Sequence, residues 1–382
     1  MAADRAYIAG GRVGAARAAL GDLTGRLMRR FEAAGCMRVE PAALHPADAL
    51  LDVYGEDLRA RAFTVTGADG RELCLRPDFT APVFQLHAAA RAEPARYCYL
   101  GPVWRRQPPG STRPTEYLQA GVEIYGEDEA EADADCFALM RDALAEGGVS
   151  RPRVVTGDLG LAFAILDATP MPEARRAALR RHFWRPKRFR ALLERYAAPQ
   201  PAPSSRRAAL LAAAGDPAAV AALADGEGTW VGARSAEEVV DRAAALAADA
   251  SAAPLPRESA ETLDAALAVE GPAETACARL ADLARAAGLD IRTALDRFSR
   301  RLDALARRGV EAGDLPFSAS ASRTLEYYDG FVFEFSAPGR DDLPPLAGGG
   351  RYDGLGRALG QGRARAVGAM VRPEALMAAG GC

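Results

Sequence analysis

At 382 residues, 49% hydrophobic and 26% charged, the chain can bury one substantial core with a smaller attachment. A net charge of −3 argues against nucleic acid as the main partner, which would favour a net basic surface. No run approaches the ~20 apolar residues a bilayer span needs, and Asp4, Arg5 and Arg12 interrupt every apolar run near the N-terminus, so a cytoplasmic protein with no membrane association is expected.

From Gly14 to about Gly35, Leu20, Leu23, Leu27 and Phe31 recur at three- and four-residue spacing, which predicts an amphipathic helix ended by glycine. A strand over Met37 to Glu40 follows, closed by Pro41, and Ala62 to Leu75 reads as a hairpin turning at Ala68-Asp69-Gly70. Pro82 to Ala92 reads as helix. Tyr97 to Arg105 and Glu116 to Gly126 read as two antiparallel strands joined by a loop rich in proline and glycine. The next helix, Ala130 to Leu144, begins with acids, as the helix dipole favours. From Gly157 to Gly313 alanine- and arginine-rich helical segments dominate, the last carrying a stripe of Ile291, Leu295, Phe298, Leu302 and Leu305. Strand signals return at Leu325 to Phe335 and Ala366 to Val371. The expected division is residues 1–156 and 314–382 as two parts of one core, with 157–313 a mainly helical insertion.

Absences narrow the chemistry. The 6 cysteines are scattered without a CxxC pair, which reads as reduced, buried thiols. The 3 histidines, His45, His87 and His182, lack metal-ligand spacing, so no metal site is expected. Lys187 is the sole lysine, so there is no GxxxxGK[ST] phosphate loop, and no cofactor is expected.

Polar residues gather in the strand pair. Gln119, Gly121 and Glu123 share one face by the period of two, as do Gly101, Val103 and Arg105 on the neighbouring strand. Gly121 is expected to leave a backbone floor between an amide and a carboxylate. Such a face suits a small zwitterion, with Arg105 for an anionic group and Gln119 and Glu123 for donors. Taken alone, a solvated polar face is the plainer explanation of such a pair. Asp78 and Thr80 form a second acceptor pair, and Thr80 before Ala81-Pro82 is also a helix start. The triple glycine 348–350 is as well explained by a tight turn as by a ligand site.

The order of these blocks is more specific than any one of them. Helix–strand–Pro41, then LRPDFT, GPVWRRQ…LQAGVEIYG, SRTLEYYDGFVFEF, GGGRYDGL and AVGAM…E resembles the catalytic domain of histidyl-tRNA synthetases over nearly the whole chain, with 157–313 only loosely matched. The resemblance implies an α+β class II aminoacyl-tRNA synthetase-like core, an antiparallel sheet flanked by helices, with a helical insertion. Carried over by position, it implies that Asp78 (a glutamate in the family), Thr80 and Gln119 hold an α-ammonium. Glu123 and Tyr328 would grip imidazole nitrogens, Tyr327 and Tyr352 would line the pocket, and Arg323 and Arg105 would face the carboxylate. No residue is assigned a catalytic role.

Departures fall on the side where the family binds ATP. Ala375 stands where the resemblance places a triphosphate-binding arginine, Arg372 where a glycine leaves room beside adenine, and Gln107 where an acid reads the adenine amino group. Losing one preorganised charge commonly costs a factor of roughly 10² in rate. Few residues follow Ala375, so the anticodon-binding domain of the synthetases is not expected, nor is tRNA binding.

This combination is similar to the regulatory subunits of ATP phosphoribosyltransferase. That likeness implies a non-catalytic role in the first step of L-histidine biosynthesis, beside a separate short-form catalytic subunit that joins ATP to phosphoribosyl pyrophosphate. It further implies feedback by L-histidine and a homodimer within a hetero-oligomer, a hetero-octamer. Two other functions fit the same residues: a histidine-adenylating enzyme, and a stand-alone histidine sensor. An interface role for the Leu20 to Pro41 helix and strand is expected from the same resemblance.

Overall fold

The computed structural model describes residues 11–51, 54–90, 92–111, 113–199, 203–225, 235–321 and 327–380. The chain forms two compact units. The larger holds 1–162, 267–282 and 291–382, and the smaller 163–266 and 283–290.

In the larger unit the described strands make a nine-stranded sheet in the order β1-β5-β6-β12-β11-β10-β7-β9-β8. These are β1 (Met37–Arg38), β5 (Ala95–Trp104), β6 (Glu116–Tyr125), β7 (Arg153–Asp158), β8 (Glu270–Pro272), β9 (Pro316–Ser318), β10 (Phe331–Ser336), β11 (Ala347–Arg351) and β12 (Ala366–Val371). Pairing is antiparallel except for β1 with β5 and β7 with β9. A second sheet joins β2 (Leu44–Pro46), β4 (Glu72–Leu75) and β3 (Thr64–Thr66). The turn between β3 and β4 uses Gly70 at φ 80°, the left-handed conformation that glycine adopts without penalty.

One face of the large sheet is covered by the Glu129–Glu146 helix. Its start is fixed by Asp128, whose carboxylate accepts from the Ala130 and Glu131 amides, with Glu129 and Glu131 in the first turn. Phe331, Phe333 and Phe335 alternate onto that face and meet Phe137 of the helix at 6.2, 5.1 and 5.0 Å between ring centres. The Gly14–Ala33 helix buries Leu20, Leu23, Leu27 and Phe31, each at most 4% exposed, so this stripe is packed within the chain.

Two expectations are corrected. The triple glycine is not a turn but the middle of β11. A Cβ on Gly349 would overlap Ala369, and one on Gly350 would lie 2.6 Å from the Phe331 carbonyl, so close strand approach is what demands glycine here. The 157–313 stretch is not one body. β8 lies in the large sheet, and the Arg292–Arg307 helix belongs to the larger unit because its Arg301 joins Asp133 and Asp158, while Phe298 packs on Phe317.

The smaller unit is helical among its described residues. Arg175, 2% exposed, ties it together: it pairs with Asp249, donates to the Ala253 carbonyl at 2.9 Å, and lies 5.1 Å from the Tyr196 ring. Nearby, Ala214, Val220 and Ala243 form a small apolar cluster. Among the described residues no helix is long and apolar enough to cross a membrane.

Candidate functional site

The site lies on the sheet face away from the Glu129–Glu146 helix. The register of β5, β6 and β12 sets Gly101 opposite Gln119, Tyr99 opposite Gly121, and Gly368 opposite Glu123. These residues share a face because cross-strand partners in an antiparallel pair project the same way. A cavity of about 140 Å³ opens there. A cavity needs ~10–15 Å³ by this measure to admit one water, so the space fits a ligand of about ten non-hydrogen atoms, the size of a free amino acid.

Asp78, Thr80, Arg105, Gln119, Tyr327 and Tyr328 all line this cavity. Thr80 begins the Thr80–Ala90 helix, and Asp78 accepts from the Thr80 amide at 3.1 Å, so the acid caps the helix while facing the cavity. Tyr54 donates to the same Asp78 oxygen, leaving Oδ2 buried without a partner among the described residues. Gln119 is 1% exposed, and both its amide oxygen and its amide nitrogen likewise lack one. Buried polar atoms are normally hydrogen-bonded, and each one left alone costs roughly 1–3 kcal/mol. A donor and two acceptors left unbonded in one cavity are the signature of a place kept for a polar ligand.

Glu123 and Tyr352 lie just beneath. Glu123 is fully buried, accepting from Thr80 at 3.0 Å and from the Tyr352 hydroxyl, which also lies 3.3 Å from that of Tyr125. Burial pushes the Glu123 carboxyl up to about 8, against the hydrogen bonds from Tyr352 and Thr80. Burial raises Asp78 as well, opposed by Arg105. A Cβ on Gly368 would overlap the Glu123 carboxylate, which explains that glycine. Arg323 lies outside the described residues.

The cations stand at the other end. Arg105 donates through Nε to the Pro77 carbonyl at 2.8 Å. Arg372 follows β12, with its backbone held by Leu346 and Leu376; its guanidinium donates to the Pro345 carbonyl and lies 6.0 Å from the Tyr117 ring. Gln107 accepts from Arg61 at 3.1 Å, and Ala375 is buried. Along one face of β6, then, Glu123, Gln119 and Tyr117 run from an acidic end through an unbonded amide to a cationic end. That polarity suits a zwitterion.

Sequence reasoning missed Tyr54, Tyr99 and Tyr125, and gave Gly121 the wrong purpose. The space over Gly121 is filled by the Tyr99 phenol, which stacks on Phe79 at 4.2 Å; a Cβ there would lie 2.6 Å from the Tyr99 ring carbon that bears the hydroxyl. Tyr99 precedes Gly101 by two, so the period of two pointed to it; Tyr54 left no such signal. Among the described residues no group of three or more His, Cys, Asp or Glu could hold a metal.

Comparison with known proteins bears on the family and the fold. The histidyl-tRNA synthetase family model matches residues 15–255 and 232–376. An ATP phosphoribosyltransferase regulatory subunit of Agrobacterium fabrum is 36% identical over 351 residues, covering 89% of this chain and 91% of that protein. One from Mesorhizobium japonicum is 36% identical over 349 residues, covering 88% and 91%. Among solved structures, an ATP phosphoribosyltransferase regulatory subunit/histidyl-tRNA synthetase from Bacillus halodurans shares the fold, with a TM-score of 0.70 at 22% identity over 98% of this chain and 82% of that one. A histidine–tRNA ligase subunit from Alicyclobacillus acidocaldarius reaches 0.60 at 26% identity, covering 98% and 96%. The class II synthetase core and these full-length relatives identify the chain as a member of the histidyl-tRNA synthetase family, in its branch of ATP phosphoribosyltransferase regulatory subunits.

Proposed function

We propose that the chain is a non-catalytic, cytoplasmic subunit that binds L-histidine in this cavity and transmits its presence to a separate ATP phosphoribosyltransferase catalytic subunit, at the first step of histidine biosynthesis. The observation that carries the reading is the unbonded Gln119 amide and Asp78 oxygen between a buried carboxyl and two guanidiniums. Asp78, Thr80 and Gln119 would take the α-ammonium, Glu123, Tyr328 and Tyr352 the imidazole end, with Tyr327 against the ring and Arg105 and Arg323 toward the carboxylate. Ala375 and Arg372 in place of the synthetase residues support a pocket for the amino acid without ATP or tRNA. Feedback requires that histidine bind one state of the complex better than another. A homodimer within a hetero-oligomer belongs to the same proposal.

Titration calorimetry of the purified chain with L-histidine and with ATP separately tests it. Histidine should bind and ATP should give no heat; the catalytic subunit should co-purify with the chain. Histidine-dependent exchange of pyrophosphate into ATP would sink the reading in favour of an adenylating enzyme.

A further inference from the structure

Four arginines are buried among the described residues, and each has its guanidinium well answered. Arg351 pairs with Asp133 and Asp353, Arg301 with Asp133 and Asp158, and Arg175 with Asp249. The fourth, Arg76, donates to three carbonyls, those of Pro41, Ala42 and Pro102, and lies 4.2 Å from the Phe79 ring. Such compensation is the rule, because an enclosed charge without it is costly. Arg105 and Arg372 have less. Both are half-buried at the cavity; Arg105 donates to the neutral Pro77 carbonyl, and Arg372 to that of Pro345 while leaning on Tyr117. Among the described residues, no carboxylate lies within 4.0 Å of either guanidinium. Asp78 and Glu334 are the acids that also line the space. The two cations feel each other: burial lowers the pKa of Arg372 and Arg105 adds to that lowering, while Tyr117 and the Glu334 carboxylate oppose it. Two guanidiniums on one cavity, with a buried, unbonded amide beside them, describe half of an anion site.

We infer that Arg372 joins Arg105 in holding the α-carboxylate of the bound amino acid, and that Arg372 supplies most of the cavity's preference for a ligand with a free carboxylate. The inference rests on the amino-acid reading above. Arg372 suits the task because its backbone is anchored on both sides and its side chain lies over the Tyr117 ring, so the fork is preorganised.

The test compares L-histidine with L-histidinol, which has an alcohol in place of the carboxylate, by calorimetry on the full chain. The unaltered protein should bind histidine roughly 10- to 100-fold more tightly than histidinol, the range of one or two charge-assisted hydrogen bonds. Arg372→Gln should remove most of that ratio by weakening histidine alone, leaving histidinol within about threefold. Arg372→Lys should restore part of it, since charge returns without the fork. Equal weakening of both ligands would show a merely structural role and overturn the inference, as would an unchanged histidine affinity. In both cases the histidine pocket itself would stand. If the unaltered chain binds neither ligand, the amino-acid reading fails and the clamp fails with it.

Discussion

The two faces of the large sheet bury polar groups in opposite ways. Beneath the Glu129–Glu146 helix, Asp133 is fully buried, and its oxygens receive Arg301 at 2.9 Å and Arg351 at 2.7 Å; Asp158 and Asp353 complete the set at 2.6 and 2.9 Å. Each of these five side chains has a charged partner, and the helix, β7, β11 and the Arg292–Arg307 helix are joined by them. On the other face Gln119 and Asp78 are just as enclosed, yet keep unbonded atoms. A closed network of this kind specifies one packing arrangement. An open one lowers stability unless something arrives to complete it. Buried polarity therefore joins the structure on one face and marks the proposed ligand place on the other.

The contrast is tested most severely at Asp133. Asp133→Ala leaves Arg301 and Arg351 without their shared counter-charge, and should cost about 3–5 kcal/mol in chemical denaturation. A loss under about 1 kcal/mol would mean that the network is not what joins these elements. The next effect is at Glu123. Its raised pKa favours the protonated carboxyl in the fold, so its contribution is complete below the ordinary carboxylate range and is lost as pH rises toward about 8. Stability of the unaltered chain should fall over that window by at most about 1.4 kcal/mol per pH unit from this group, and Glu123→Gln should flatten the slope. An unchanged slope would remove Glu123 from the account.

Gln119→Ala probes the opposite face. It deletes atoms without a hydrogen-bond partner among the described residues, so stability should hold within about 1 kcal/mol or rise, while histidine affinity falls roughly tenfold by calorimetry. Destabilisation comparable to that of Asp133→Ala would erase the distinction between the faces. The weakest response belongs to the exposed Arg257–Glu261 pair, 3.0 Å apart one helical turn from each other; Arg257→Ala should change stability by no more than about 0.5 kcal/mol in the same denaturation measurement.

Much of this site is legible in the residue pattern alone. Two segments rich in aromatic and apolar residues, 97–105 and 116–126, flank a loop rich in proline and glycine and so mark β5 and β6; their paired register then places Gln119, Glu123 and Gly101 on one face. What escapes is set by distant partners. β7 is short and runs into a helix, and it becomes a strand through pairing with β10, more than 170 residues away in sequence. The glycines of β11 carry low strand propensity, and tertiary crowding against Ala369 and Phe331 overrides it. Tyr54 reaches Asp78 from a segment with no periodic signal. The bounds of the helical region blur for the same reason: the Arg292–Arg307 helix is as alanine- and arginine-rich as its neighbours, and the distant acids and the Phe317 ring that it meets assign it to the larger unit.

The aromatic floor of the cavity also has an optical consequence. Tyr54, Tyr99, Tyr125, Tyr327, Tyr328 and Tyr352 all have hydroxyls made harder to ionise, chiefly by burial. They are six of the chain's 10 tyrosines. As alkali is added beyond the ordinary phenol range of roughly 10, their phenolate absorbance should stay silent until the sheet opens, then appear together. Ultraviolet absorbance alone thus becomes a label-free clock for exposure of the cavity floor.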